Sequence, residues 1–222
     1  MTKIATPQAN DWDNYWSLDR TERFTKISWS KKRIMKILSR YFGKGSSILD
    51  AGCGSGFFSA YFCDEGADVV SLDYSKEALD IAKKLTQNKT ITLQADLTDQ
   101  AMSASVDRKF NLIFTDGLFE HFSDGVQDTI MTNLKNLLSD DGVIVTFVPN
   151  RFSPWELIRP FFMPGIEEDP FVLSGLMKLN ERNGLSVGER GGINTIPFAL
   201  SPDRLVGSWF GMLLYTIAKD DK

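Results

Sequence analysis

The nine residues Ile48-Leu49-Asp50-Ala51-Gly52-Cys53-Gly54-Ser55-Gly56 constrain the fold of this 222-residue chain more than any other stretch. An apolar pair runs into an acid, glycines follow at every second position, and an apolar helical stretch, Phe57 to Phe62, comes directly behind them. That order reads as a strand, a turn too tight for side chains, and a helix. Glycine is needed where the backbone takes left-handed dihedrals and must approach a ligand closely. Such a unit places a nucleotide-like ligand at the carboxyl edge of a parallel sheet.

The dinucleotide pattern G-x-G-x-x-G/A fits at Gly52 and Gly54, but it would put its third small residue at Phe57; the third glycine comes one place early, at Gly56. A phenylalanine there opposes the close helix–strand packing and the pyrophosphate seat of that fold. A nicotinamide-dependent oxidoreductase is therefore the rival reading, not the first one.

The rest of the chain repeats the strand–helix rhythm. The pattern predicts strands over Ser47 to Asp50, Ala67 to Asp73, Thr90 to Asp96, Phe110 to Asp116 and Val143 to Val148. Helices are expected from about Glu22 to Phe42, from Phe57 to Glu65, from a Ser75 cap to Leu85, and from Asp124 to Leu138, the last stopped by a turn at Ser139-Asp140-Asp141-Gly142. Alternation of this kind means βαβ units and a parallel sheet. Beyond Pro149 the rhythm breaks into a segment rich in proline and aromatics. A helix near Leu173 to Asn183 and strands over Leu185 to Arg190 and Leu213 to Lys219 follow, and the link Gly191 to Met212 is too long for a simple hairpin.

Acids stand where the strands end. Asp73 follows Asp50 by 23 residues, Asp96 follows Asp73 by 23, and Asp116 follows Asp96 by 20. One such acid is commonplace as a helix cap; four behind a glycine turn define a ligand-binding edge. A carboxylate at Asp73 can accept hydrogen bonds from ribose hydroxyls, Tyr74 can cover a purine face, and Asp96 can accept from an exocyclic amine.

The acid-x-G-x-G-x-G turn with these later acids resembles the class I S-adenosylmethionine (SAM)-dependent methyltransferases, over roughly Gly45 to Asn150. The resemblance implies an α/β, Rossmann-like three-layer sandwich with a mostly parallel seven-stranded sheet, order 3-2-1-4-5-7-6 and the last strand antiparallel. It implies SAM as cofactor and S-adenosylhomocysteine as product. By the same resemblance Asp50, Gly52, Cys53, Gly54 and Gly56 cradle the methionine part, Asp73 and Tyr74 take the ribose side, Asp96 and Leu97 meet adenine, and Asp116 and Gly117 lie beneath the methyl group. Phe119-Glu120-His121-Phe122 looks like the branch that includes quinone-biosynthesis and other small-molecule methyltransferases. His121 is the single histidine, and a group with an ordinary pKa near 6.5 suits proton abstraction from a hydroxyl, phenol or amine. Glu120 and His121 are thus the catalytic candidates, the alternative being that they only shape the loop beneath the cofactor.

Composition narrows the class. Cys53 and Cys63 have neither disulfide-framework nor metal spacing, the start of the chain carries no secretory signal, and no apolar run is long enough to span a bilayer, so a cytoplasmic protein is expected. Net charge is −4, yet Arg20 to Lys44 carries nine cations and one acid. We read that segment as a helix with a solvated basic face and expect no nucleic-acid partner, because the whole chain is acidic and lacks nucleic-acid motifs. The N/D-P-P-Y/F and Pro-Cys patterns of DNA methyltransferases and the acid set of magnesium-dependent catechol enzymes are absent, so no metal is expected.

The expected organisation is an aromatic and basic lid over residues 1–44 and a SAM-binding domain over 45–222, with acceptor-site insertions at 151–172 and 191–212. Tyr15, Trp16, Trp155 and Arg159, with Phe161 and Phe162, are candidates to line a pocket for a small, apolar or aromatic acceptor. Glu167-Glu168-Asp169 reads as a solvated turn. Transfer to O, N or C of that acceptor by an SN2 step is the expected function, in a monomer or homodimer. A SAM-binding protein without transfer is the non-enzymatic alternative.

Overall fold

A computed structural model describes residues 9–159 and 168–221 of the chain. Its strands are β1 Ser47–Ala51, β2 Asp68–Asp73, β3 Ile91–Gln94, β4 Phe110–Asp116, β5 Leu138–Pro149, β6 Leu185–Ile193 and β7 Leu213–Asp220. They form one sheet in the order β3-β2-β1-β4-β5-β7-β6. Pairing is parallel from β3 through β5, and β7 runs antiparallel to both β5 and β6. This is the order and the reversed last strand that the resemblance implies.

The helices are α1 Ala9–Trp16, α2 Trp29–Leu38, α3 Phe57–Asp64, α4 Lys76–Leu85, α5 Asp124–Leu137, α6 Leu173–Arg182 and α7 Asp203–Phe210. Successive residues of the central strands serve opposite faces. Ile48, Leu112, Phe114 and Val145 pack with Ile34 and Leu38 of α2 and Phe58 and Phe62 of α3. Leu49, Ile113 and Ile144 pack on the other face with Ile130 and Leu134 of α5 and Leu176 and Leu179 of α6. Both faces being covered, the strands read as near-continuous apolar runs instead of alternating ones.

Several boundaries depart from the sequence pattern. The helix expected from Glu22 to Phe42 is broken: a 3₁₀ segment spans Asp19–Thr25, and α2 starts only at Trp29. The break falls at Ser28, which is extended and accepts the Lys31 N–H through its hydroxyl, 3.3 Å away. Tyr41 lies beyond α2 and donates to Glu189, which also receives both guanidinium nitrogens of Arg40 and the Tyr215 hydroxyl. Arg40 above all holds the Glu189 carboxyl down at about 2 and clamps the end of α2 to β6.

Strand β3 ends at Gln94, short of Asp96, because Asp96 accepts from both the backbone N–H and the hydroxyl of Thr98 and turns the chain. The turn expected at residues 139–142 is instead part of β5. There Gly142 runs so close to β4 that a Cβ would meet the Phe110 carbonyl at 2.9 Å, next to a register shift between Phe110 and Leu112. The long link after β6 holds α7, which the sequence pattern does not announce.

Candidate active site

The glycine turn is built by backbone. The N–H groups of Gly52 and Cys53 donate to the Leu72 carbonyl at 2.8 and 3.0 Å, which pins the turn to the end of β2. Gly52, Gly54 and Gly56 have φ of +72°, +49° and +70°, a region that side chains disfavour. Two of them are also sterically obligatory. A Cβ on Gly56 would lie 2.4 Å from the Ala82 Cβ of α4, and one on Gly54 would lie 2.6 Å from the Trp16 ring. Gly56 therefore serves helix packing and does not border the cavity described below, whereas Gly54 lies directly beneath an indole from α1.

The acids line the carboxyl edge at two depths. Asp50 pairs in register with Ser71 of β2 and Phe114 of β4, so Asp73 and Asp116 each stand two residues nearer the edge. Recessed and buried, Asp50 accepts from the Ser59 hydroxyl at 2.6 Å; Ser71 reaches Ser59 at 2.6 Å and Thr90 at 2.8 Å, a buried hydroxyl chain from β1 through α3 and β2 to the residue before β3. Burial raises its carboxyl to about 7 against the pull of Ser59, with Asp116 and Asp73 adding repulsion. Asp73 accepts from Gly54 N–H at 2.8 Å and Ser75 N–H at 2.9 Å, and burial raises its carboxyl. An ionised carboxylate has about four acceptor sites, so both oxygens keep capacity for a ligand. Burial also raises the Cys53 thiol, which stays neutral.

Asp116 is raised to about 6 by burial, with the Lys31 ammonium opposing. Lys31 is itself lowered to about 8 by burial, with Asp116 opposing. Its ammonium lies 3.9 Å from the Phe57 ring centroid and donates to the carbonyls of Phe24 and Lys26. This corrects the solvated basic face expected for α2. Lys31 faces inward, Arg33 pairs with Asp203 at 2.9 Å, and Arg40 binds Glu189. The spacing of Lys31 to the buried Ile34 and Leu38 was the available signal, since all three share one helical face.

Past β4, Phe119–His121 forms a 3₁₀ turn with Glu120 and His121 both buried. Gly117, at φ +74°, is shaped to it: a Cβ there would lie 3.3 Å from Glu120 Oε1. His121 Nε2 is 3.9 Å from Glu120 Oε1, and its ring meets the Trp12 ring edge-on at 5.0 Å. Glu120 Oε2 has no hydrogen-bond partner among the described residues. Burial first, then the neighbouring Glu168, raises the Glu120 carboxyl well above its ordinary range. Arg159 pairs with Glu156 at 3.0 Å and with Glu168 at 3.3 Å. Glu168 is therefore no solvated turn residue; its side chain is buried, and burial raises it to about 7. Phe161, Phe162 and Glu167 lie outside the described residues.

These groups open on one cavity of about 770 Å³. Asp50, Gly52, Cys53, Gly54, Asp73, Tyr74, Asp96, Leu97, Asp116 and Gly117 border it, as do Glu120, His121, Tyr15, Trp16, Trp155 and Arg159. Lys31, Trp12, Phe24, Ser55 and Glu168 border it as well, and the motif reading missed them as site residues. Side chains from the amino-terminal segment thus share one space with the sheet edge.

A seven-stranded sheet of this order, with a glycine turn and strand-end acids opening on one cavity, defines the class of SAM-dependent methyltransferases. Residues 42–170 match the methyltransferase domain family, and the chain belongs to that family. It is 33% identical over 112 residues to a ubiquinone biosynthesis O-methyltransferase of Actinobacillus pleuropneumoniae, covering 48% of this chain and 47% of that one. It is 30% identical over 122 residues to a ribosomal protein L11 methyltransferase of Thermosipho africanus, covering 54% of this chain and 44% of that one. The chain spans about half the length of these curated relatives. Among solved structures, magnesium protoporphyrin IX methyltransferase of Synechocystis superposes with a TM-score of 0.69 at 16% identity, covering 96% of this chain and 97% of that one. The N-methyltransferase NodS of Bradyrhizobium japonicum gives 0.68 at 15%, covering 96% and 98%.

The site fits the cofactor of its class, because bare backbone at Gly52 and Gly54 and spare acceptor capacity at Asp73 face the same cavity. The family match also displaces the nicotinamide reading. Phe57, the residue that argued against it, lies beneath the Lys31 ammonium.

Proposed function

We propose that the protein transfers a methyl group from SAM to a hydroxyl oxygen of a small, partly apolar acceptor. One observation carries this reading: the glycine turn with its acids and the Glu120–His121 pair border the same cavity. In this reading Asp73, Tyr74, Asp96 and Leu97 hold the nucleoside end, while Asp50, Gly52, Cys53, Gly54, Asp116 and Gly117 hold the methionine end. The bound cofactor supplies an electrophilic methyl on a sulfonium centre.

The protein's own residues then position, protonate and exclude water. His121 takes the proton from the acceptor hydroxyl on a ring nitrogen. Glu120, its carboxyl raised by burial and its Oε2 without a partner among the described residues, donates in its protonated form a hydrogen bond to a second acceptor oxygen. Trp155 and Arg159 wall the acceptor side, and Tyr15 and Trp16 on α1 close over it. Holding nucleophile and methyl carbon in line in a water-poor pocket supplies much of the acceleration. The O-methyltransferase relatives support oxygen as the methylated atom.

The test is calorimetric SAM and S-adenosylhomocysteine titration, followed by transfer of labelled methyl to a panel of phenols and hydroxylated apolar compounds. Saturable binding with turnover on hydroxyl acceptors is expected. Absence of SAM binding overturns the reading, and binding without turnover across the panel favours a non-catalytic SAM-binding role.

A further inference from the structure

Helix α7 is oriented against the usual rule for a surface helix, which buries its large apolar side chains. It rests on its smallest residue. Gly207 is buried so tightly against β6 that a Cβ on it would lie 2.1 Å from the Gly192 carbonyl, and one on Gly192 would lie 1.9 Å from the Gly207 carbonyl. The large side chains turn outward instead: Leu205 is 79% exposed and Trp209 62%, one helical turn apart, with Phe210 exposed beside them.

Hydrogen bonds gather further exposed apolar groups around this helix. Arg33 pairs with Asp203 at the start of α7 and donates to the carbonyls of Trp29 and Phe198, so one guanidinium ties three segments together. Trp29 and Phe198 are exposed, and Leu200 is 87% exposed. Single exposed hydrophobes need no explanation, but a gathered patch marks an interaction surface.

The patch is edged by cations. The Lys32 ammonium lies 4.5 Å from the Trp29 ring centroid, and Arg204 is exposed next to Leu205. Of the cations on α2, Lys32 and Lys36 are exposed, whereas Lys31 faces the cavity and Arg33 pairs with Asp203. Two copies meeting through this face would bring like charges together. Tryptophan and leucine flanked by lysine and arginine suit an anionic bilayer surface, where rings sit at headgroup level and cations meet the lipid charge.

The face also borders the cavity: Ser28 and Ser30, on either side of Trp29, line it, as do Met212 and Leu213 just after α7. We propose that this patch docks the protein peripherally on an anionic lipid surface, next to the mouth of its cavity. The docking stands independently of methyl transfer. No described helix is long and apolar enough to cross a membrane, so the contact would be superficial.

Flotation of the full chain with phosphatidylglycerol–phosphatidylcholine vesicles, against phosphatidylcholine alone, tests it. The protein is expected to float with the anionic vesicles only, and less as salt rises. The double variant Leu205→Ser/Trp209→Ser and the charge-reversal variant Lys32→Glu/Arg204→Glu should each bind about tenfold less. Both should keep wild-type melting and SAM affinity, which separates loss of docking from misfolding and from failure of the methyltransferase reading. Two results overturn the proposal: no flotation of the wild type with either vesicle, or double-variant flotation equal to wild type. A dimer that Leu205→Ser/Trp209→Ser splits, without any vesicle binding, overturns it in favour of a second copy as the occupant.

Discussion

The two ends of the cavity are made differently. The cofactor end is built from strand register and backbone: Gly52 and Cys53 are held by the Leu72 carbonyl, and Asp73 is fixed by the N–H groups of Gly54 and Ser75. The end proposed to take the acceptor is assembled from separate segments: the 3₁₀ turn bearing Glu120 and His121, the Trp155–Arg159 stretch, Glu168, α1, and Lys31 of α2. A pocket made from register tolerates little change at any point. One made from converging loops can change its side chains without disturbing the fold, which is where acceptor specificity can vary.

This contrast breaks most sharply at Gly56. Gly56→Ala combines a left-handed φ with a 2.4 Å clash against α4, and should cost about 2–4 kcal/mol by urea unfolding. A loss below about 0.5 kcal/mol, the level of an innocuous surface change, would show that the turn is softer than its geometry implies.

Next in size, Asp73→Ala should weaken SAM binding about 100-fold by titration calorimetry, since it removes a charged acceptor and frees two backbone donors. At the acceptor end the signature should be kinetic. His121→Ala is expected to lower kcat about 100-fold with SAM affinity within about twofold of wild type, the range of general-base loss. Equal losses of binding and turnover would merge the two regions into one unit.

A pH test follows from Asp50. Its folded carboxyl near 7 lies above an unfolded value near 3.8, so the folded state holds the extra proton between those values. The stabilisation it contributes is complete below the unfolded value and is lost as pH rises toward 7, by at most about 1.4 kcal/mol per pH unit. Asp116, near 6, and Glu168, near 7, act in the same direction, so Asp50→Asn should reduce the downward slope of stability between pH 5 and 7 without abolishing it. Parallel slopes in the two proteins would refute the assignment. The smallest effect is expected at Ser28→Ala, which removes the cap of α2 and should cost about 1 kcal/mol in thermal unfolding while leaving SAM affinity intact.

Legibility in the sequence follows the same division. The succession of strands and helices, the glycine turn and three of the four acids at strand ends could be read because they depend on local period and spacing, whereas the sheet order was implied only by the family resemblance. Asp96 was displaced by two residues because its own side chain, by accepting from Thr98, ends the strand early. Lys31, Glu168 and α7 were misread for a different reason. Each is placed by partners far along the chain: Lys31 faces Asp116, Glu168 neighbours Glu120, and α7 lies on β6 through Gly192 and Gly207. Composition marks a lysine or a glutamate as solvated, and only a distant partner reverses that.

Helix α1 joins the two ends. Asp13 accepts from the Ser75 hydroxyl beside the cofactor edge, Trp16 lies on Gly54, and Trp12 meets His121. One short helix is thus in contact with both proposed binding regions. Any ligand whose binding shifts α1 alters the affinity of the other ligand, and linkage requires the factor to be the same in both directions. If both ligands shift α1, their binding constants are coupled by one factor. Acceptor affinity measured with S-adenosylhomocysteine present and absent gives the same ratio as the reverse experiment.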